Sequence, residues 1–307
     1  MKAAYFMKHG APEVLQYGEI PDPALKPGQV MVDVYAASVN GADWKTRSGA
    51  YRKITNFPYV PGRDISGVVS ALGDGVKDFR VGDAVFGVVE QRDEQTYAEK
   101  VAINAAIIAK KPESLSHIEA AAVGLIGLTA LVSIEDTLEL KPGETILIQG
   151  GAGGVAGFAI QLAKHIGARV ITTTSAANRD YVRSLGADQV IDYNAEDFTK
   201  VVSNCDAVFD TVGGDVTARS FAVLRSGGRF ASIAAGPSAP PSPRPDVQSL
   251  RPNVVRDRPH LERIAQLVTS GAVRLPEIKV YPLSEAAAAH RISEGRHLRG
   301  KLVLNVR

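Results

Sequence analysis

The hydrophobic pattern changes character partway along the chain. In the first third, runs rich in Val, Ile, Tyr and Phe stand at Val30–Ala36, Ile65–Ala71, Ala84–Val89 and Thr96–Ala102, separated by Gly and Pro. Short β-rich runs punctuated in this way predict a small antiparallel barrel, because strands bury alternate side chains and Gly and Pro make the turns between them. From Ile118 to Val255 apolar strands alternate with helical segments, the pattern of parallel βαβ units. The strand candidates there are Thr145–Gln149, Arg169–Thr173, Gln189–Tyr193, Ala207–Thr211 and Arg229–Ala234. The chain then closes with a helix around His260–Ser270 and a β/α/β tail that ends in a strand from Lys301 to Val306.

Two stretches interrupt this alternation. GPSAPPSPRPD at 236–246 cannot continue a sheet, since repeated prolines remove backbone donors and fix φ. It reads as a surface loop open to motion. Ala120–Ile134 is the longest apolar stretch, shorter than the roughly 20 residues that cross a bilayer and broken by Gly124, Gly127 and Thr129. It is predicted to be a buried helix.

The strongest local signal is ETILIQGGAGGVAGFAIQLAKHIGARVITTTS at 144–175, a buried strand, a glycine cluster, a helix with Phe158, Leu162 and Ile166 on one face, and a second strand. Within it Gly151-x-Gly153-x-x-Ala156 fits the G-x-G-x-x-G/A turn that binds dinucleotides. In that fit Gly151 allows the tight turn, Gly153 lets a pyrophosphate approach the backbone, and Ala156 keeps helix and strand close. Backbone N–H groups at the helix start, around Ala152, Gly154 and Val155, then hold the phosphates. Gly150, Gly154 and Gly157 leave the register open by one residue.

Which dinucleotide binds turns on the end of the second strand, where NAD-binding proteins place an Asp or Glu for the ribose hydroxyls. Thr172, Thr173, Thr174 and Ser175 stand there instead, without a carboxylate, and Arg179 follows. An acid would repel a 2′-phosphate, whereas hydroxyls and a guanidinium hydrogen-bond and neutralise it. The sequence therefore predicts NADP(H) as the cofactor.

Composition narrows the choice of partners. The 307 residues, 45% hydrophobic and 22% charged, suffice for a sizeable core and two domains. Lys and Arg (35) and Asp and Glu (33) are scattered, with no basic stripe, which argues against a nucleic-acid partner. MKAAYFMKHG lacks the apolar core of a secretory signal. The one cysteine, Cys205, permits neither an intrachain disulfide nor a multi-cysteine metal site and suits a reducing compartment. The expectation is a soluble cytoplasmic protein without membrane insertion.

Beside QGGAGGVAG (149–157), the chain carries the opening MKAAYF, then ASVNGADWKTRSGAY (37–51), VPGRDISGVVSALGDGVKDFRVGDAVFG (60–87), AAAVGLIGLTA (120–130) and GRHLRGKLVLNV (295–306). In that order these motifs resemble the medium-chain dehydrogenase/reductase superfamily, in its zinc-independent quinone oxidoreductase (zeta-crystallin-like) branch, over essentially the whole chain. The resemblance implies an α/β protein: a GroES-like β-barrel catalytic domain over 1–117, a Rossmann doubly wound parallel-sheet NADP-binding domain over 118–255, and a C-terminal return to the catalytic domain over 256–307. It also implies a homodimer formed through the cofactor domain, and hydride transfer from NADPH to a quinone or an activated alkene in the cleft between the domains.

Site residues follow from the same resemblance. Asn40 falls at an Asn near nicotinamide and substrate, Thr129 at a Thr near the carboxamide, and Tyr193 at a Tyr beside the adenosine 2′-phosphate. Thr174, Ser175 and Arg179 fall at phosphate-facing positions; Val212, Gly213, Ile233 and Ala234 follow the last strands, where backbone meets the nicotinamide half; Lys301 is carried over as a further cofactor contact.

Zinc-dependent members hold their metal with Cys and His in the barrel. Here Asn40 stands at the Cys position, Gly62-Arg63-Asp64 replaces Gly-His-Glu, and the histidines at 9, 117, 165, 260, 290 and 297 lack ligand spacing, so no metal is expected. Alcohol oxidation without a Lewis acid is poorly served. Reduction of a quinone or enone spreads charge onto a conjugated oxygen that one or two hydrogen-bond donors can stabilise. Asp43, Lys45 and Tyr51, in the segment after Asn40, are the candidates to donate or relay a proton or to bind that oxygen. Two rivals stay open: an NADPH-binding structural or sensor protein with little turnover, and an NADP-linked alcohol dehydrogenase. Quinone against enone is also left open.

Overall fold

Strand alternation sets up the first part of the chain. β1 (Lys2–Phe6) and β2 (Leu15–Glu19) form an antiparallel hairpin, and β3 (Gln29–Val39) follows with Val30, Val32 and Val34 fully buried on one face. After the short helix α1 (Gly41–Ser48) come β4 (Asp64–Leu72), β5 (Ala84–Val88), β6 (Lys100–Asn104) and β7 (Ile108–Lys110). Register shifts between Met31 and Val32 and between Val34 and Ala36 bend β3 against β4, as bulges do. The structure is a computed structural model and describes residues 1–90, 94–234, 236 and 238–307.

Helix α2 (His117–Leu131) leads into the second sheet: β8 (Thr145–Gln149), α3 (Gly154–Ile166), β9 (Arg169–Thr174), α4 (Arg179–Ser184), β10 (Gln189–Asp192), α5 (Phe198–Val201), β11 (Cys205–Asp210), α6 (Asp215–Ser220), β12 (Leu224–Ser232) and β13 (Gln248–Leu250). All its pairings are parallel, in the order β10-β9-β8-β11-β12-β13. That is the doubly wound Rossmann order, whose direction of winding reverses between β8 and β11. α7 (Arg258–Thr269), β14 (Ile278–Pro282), α8 (Ala286–Glu294) and β15 (Lys301–Asn305) then complete the first sheet, with β15 antiparallel to the end of β3.

Two compact units result: Met1–Leu125 with Arg256–Thr269 and Leu275–Arg307, and Ile126–Val255 with Ser270–Arg274. The division falls inside α2, eight residues beyond the boundary at 117 expected from the sequence, because Ala121 and Ala122 of its first half pack on Ala36 and Val303 of the barrel. Residues 270–274 go with the Rossmann unit because Gln161 both donates to the Arg274 carbonyl (3.2 Å) and accepts from its N–H (2.9 Å).

Three elements differ from expectation. The strand expected at Thr96–Ala102 lies at Lys100–Asn104, since Tyr97 is engaged by Pro61 and Ala4. α2 runs on through a π-helical turn to Thr137, giving 21 residues apolar enough to span a bilayer, yet most of that length is buried inside the protein. The Pro-rich loop, whose Pro237 lies outside the described residues, is tied down by Arg244, which donates to the Phe221 (3.2 Å) and Leu224 (2.7 Å) carbonyls and pairs with Asp246 (2.6 Å). Behind it β13 adds a three-residue strand that the sequence pattern did not reveal.

Candidate active site

The glycine turn follows β8 at the point where the Rossmann sheet reverses its winding. Gly150, at φ +79, makes the tight turn one residue before Gly151, within the latitude that the motif left open. Gly151 is needed for another reason: a Cβ there would collide with Thr172 Oγ1, so the loop can lie flat on β9 only without a side chain. At Gly153, the residue before α3, a Cβ would meet only Gly150 O at 3.5 Å. This open face beside the first N–H groups of α3, at Gly154 and Val155 with Ala152 just before, is a cradle for phosphate oxygens.

The ends of β9 and β10 supply the second contact region. Asp192 pairs with Thr174, and the Tyr193 N–H donates to Thr174 O (3.1 Å), which brings Thr174, Ser175 and Tyr193 to one edge. Tyr193 is 50% exposed. Arg179, half-buried at the start of α4, makes no hydrogen bond or ion pair among the described residues, so its guanidinium is available to an anion. β9 ends without a carboxylate. These groups fit an NADP(H) 2′-phosphate.

Opposite the reversal, the loop after β11 is organised by Asp210, which sequence reasoning missed. This buried carboxylate accepts from Val212 N (2.9 Å), Gly213 N (3.0 Å), Thr217 Oγ1 (2.5 Å) and Ser232 Oγ (3.3 Å). Ile233 N donates to Asp210 O (3.1 Å), and a Cβ on Gly213 would meet Ala234, so Val212, Gly213, Ile233 and Ala234 converge beside the turn. Thr129 is buried in the last turn of α2. A doubly wound sheet with this turn and an acid-free strand end defines an NADP(H)-binding domain of the oxidoreductase class.

In the barrel unit a buried polar network surrounds Asn40. Its Nδ2 donates to Asp64 Oδ2 (2.6 Å), and its Oδ1 accepts from Lys301 Nζ (2.8 Å), which also donates to Val39 O (2.9 Å). Asp64 accepts further from Ser38 Oγ (2.6 Å) and Leu125 N (2.5 Å). The approach to α2 needs Gly124, where a Cβ would lie 2.5 Å from Asp64 Oδ1. Carboxylate and ammonium thus fix the amide's orientation, since only Nδ2 can donate and only Oδ1 can accept. Burial lowers the Lys301 pKa while Asp64 and Asp43 support its charge. Lys301, expected at the cofactor, is instead enclosed, because its ammonium is used on Asn40 and Val39.

Asp43 is enclosed too. Its Oδ2 accepts from Asn40 N (2.9 Å) at the start of α1 and from Tyr97 OH (3.0 Å), His290 Nε2 lies 3.2 Å from that hydroxyl, and Arg63 Nε stands 3.9 Å from Oδ1. This removes Asp43 from the groups that can touch an acceptor. Lys45 is half-buried and Tyr51 is exposed under the Arg63 guanidinium, 5.4 Å from the ring centroid. The Tyr51 N–H donates to Lys45 O (3.0 Å), folding the loop back on α1.

Burial pushes the Asp43 carboxyl up to about 6 against the pull of Arg63. A pKa raised in the folded state gives stability that is complete below the unfolded value, about 3.9, and lost as pH rises. The loss is over once pH passes about 6. The Tm of the protein relative to Asp43→Asn is therefore expected to fall across that window; a difference flat in pH would reject the assignment.

Comparison with known proteins agrees with this fold and cofactor. The family model for the alcohol dehydrogenase GroES-like domain matches residues 26–113, and that for zinc-binding dehydrogenases matches residues 185–304. The NADPH-dependent alkenal/one oxidoreductase, chloroplastic, of Arabidopsis thaliana is 33% identical over 317 residues, 99% of this chain and 79% of the relative. The solved quinone oxidoreductase from Coxiella burnetii is 37% identical with a TM-score of 0.93, covering 100% of this chain and 99% of its own. Escherichia coli quinone oxidoreductase complexed with NADPH is 30% identical with a TM-score of 0.90 and full coverage of both chains (100%). The chain belongs to the medium-chain dehydrogenase/reductase superfamily, in its quinone oxidoreductase branch.

Proposed function

We propose that the protein is an NADPH-dependent reductase that delivers hydride to a quinone or an α,β-unsaturated carbonyl without zinc. The carrying observation is the Lys301–Asn40–Asp64 clamp: a buried ammonium, 2.8 Å from the amide oxygen, stands beside the residue that replaces a zinc cysteine. Its charge opposes a divalent cation there, and among the described residues no three His, Cys, Asp or Glu gather to hold one. NADPH held by the 150–155 turn and the Thr174/Arg179/Tyr193 edge supplies the hydride. Asn40, held in one rotamer, presents a fixed face to the reacting partners, and rate comes chiefly from such positioning. Tyr51, with Lys45 as the alternative, is our candidate to hydrogen-bond the acceptor oxygen, and Asp43 acts through the Asn40 backbone as a positioning residue.

Loss of reduced-nicotinamide absorbance with benzoquinone, phenanthrenequinone and a short alkenal tests this reading. Turnover that prefers NADPH to NADH is expected, and the better acceptor decides between quinone and enone. Tight NADPH binding without turnover would instead favour a structural or sensor protein. Arg179→Ala should raise the KM for NADPH about tenfold, as loss of a charge-assisted hydrogen bond implies, and leave that for NADH unchanged. A cytoplasmic homodimer completes the reading; β13 ends the Rossmann sheet with no strand on its outer side among the described residues, an edge suited to pairing with a second copy. A monomer in size-exclusion chromatography with light scattering would reject that assembly.

A further inference from the structure

Trp44, the one tryptophan of the chain, is 8% exposed in α1 and carries two cations against its ring. Lys45 Nζ lies 5.6 Å and the Arg296 guanidinium carbon 5.7 Å from the ring centroid. The two come from different elements, since Arg296 follows the end of α8, where it is exposed and sits at φ +56. Neither side chain makes an ion pair or hydrogen bond among the described residues. The acids nearby are committed elsewhere: Glu294 pairs with Arg47 (2.9 Å), and Asp43 is closed in by Asn40 and Tyr97. Like charges held together without a counter-ion repel, and a left-handed Arg adds backbone strain. Burial and the Arg296 charge lower the pKa of Lys45, the direction an unpaired ammonium takes. An ammonium and a guanidinium that share one indole ring, near enough for the Arg296 charge to act on Lys45, match a carboxylate or phosphate.

We propose that Lys45 and Arg296 form an anion subsite beside Trp44 that holds an acidic tail of the acceptor, so that carboxylate- or phosphate-bearing enones or quinones are the preferred substrates. The substrate assignment rests on the reductase reading; the anion subsite does not. In this role Lys45 binds the tail, and Tyr51 remains the donor to the acceptor oxygen.

The test compares trans-acetylacrylate with ethylideneacetone, the same enone with a carboxylate or a methyl group at its far end. Hydride from NADPH forms the C–H bond at the alkene carbon β to the ketone and a solvent proton goes to the other alkene carbon, giving levulinate and NADP+ with the carboxylate unchanged. The ratio of kcat/KM, acetylacrylate over ethylideneacetone, should fall about tenfold in Arg296→Asn, a residue type at ease with positive φ, and stay near the parent value in Arg296→Lys. Separately, Trp44 emission is followed on NADP+-saturated protein, so that the cofactor's own phosphates are already placed. Levulinate should shift it, methyl propyl ketone should not, and the levulinate Kd should rise about tenfold in Arg296→Asn. Inorganic phosphate binding more tightly than levulinate would assign a phosphate tail, the reverse a carboxylate tail. Turnover with an unchanged ratio, or no emission shift with either anion, overturns the subsite. A shift without turnover on either acceptor upholds the subsite and rejects the reductase reading instead.

Discussion

Lys301→Met is expected to lower both stability and kcat. The ammonium is buried and donates to Asn40 Oδ1 and Val39 O, so its loss strips a donor from two buried acceptors. It also removes the positive charge that offsets Asp64 and Asp43. Breaking one side of such a buried charged cluster costs roughly 3–5 kcal/mol. For a chain of this size the Tm should drop by roughly 5–8 °C. In the protein that remains folded at low temperature, Asn40 is released to rotate, and a misplaced positioning group costs about 100-fold in rate. That loss belongs in kcat more than in KM, because the amide orients what is already bound. Asp64→Asn, which keeps the shape and loses the charge, should move kcat in the same direction with a smaller loss of stability. Thermal melts and steady-state kinetics below the melting range separate the two effects; an unchanged kcat in either folded variant would remove the clamp from the mechanism.

Gly153→Val and Gly151→Val should behave as opposites. At Gly151 a side chain runs into Thr172 Oγ1 on β9, so the turn cannot close, and destabilisation by a few kcal/mol follows from the overpacking. At Gly153 the nearest atom to a new Cβ is Gly150 O at 3.5 Å, ordinary contact, so the fold should stand nearly unchanged. The valine would instead fill the space where phosphate oxygens approach the first N–H groups of α3, and a loss of two to three such hydrogen bonds to a charged group weakens NADPH binding about 100-fold or more. Thermal melts and NADPH titration by its own fluorescence read the two quantities. Equal NADPH affinity in Gly153→Val would move the phosphate site away from this turn.

Much of this protein was written in the one-dimensional pattern. The strands at Thr145–Gln149, Arg169–Thr174 and Gln189–Asp192, the glycine turn and the acid-free end at Thr174–Ser175 are local features, set by residue spacing and turn chemistry within a few dozen residues. β13 escaped because a three-residue strand beside prolines has no periodicity to read; its pairing with β12 comes from the partner, not from itself. The division inside α2 escaped because a continuous helix gives no local sign of where its packing partners change.

At the site, residue types were legible and roles were not. Asn40, Thr174, Arg179 and Tyr193 could be named from motifs, and so could Asp43 and Lys301, but as a candidate to donate or relay a proton or to bind the acceptor oxygen, and as a cofactor contact. Burial decided otherwise, and burial depends on segments far apart in sequence: Lys301 reaches Asn40 across 261 positions, Asp64 reaches it across 24, and Tyr97 meets Asp43 across 54. The sequence by itself determined the order of elements, the dinucleotide turn and the phosphate-tolerant strand end, because each depends on neighbours in the chain. Only the tertiary structure decided which charged groups face an incoming ligand and which are enclosed, because the cost of burying a charge is set by whichever groups the fold places around it.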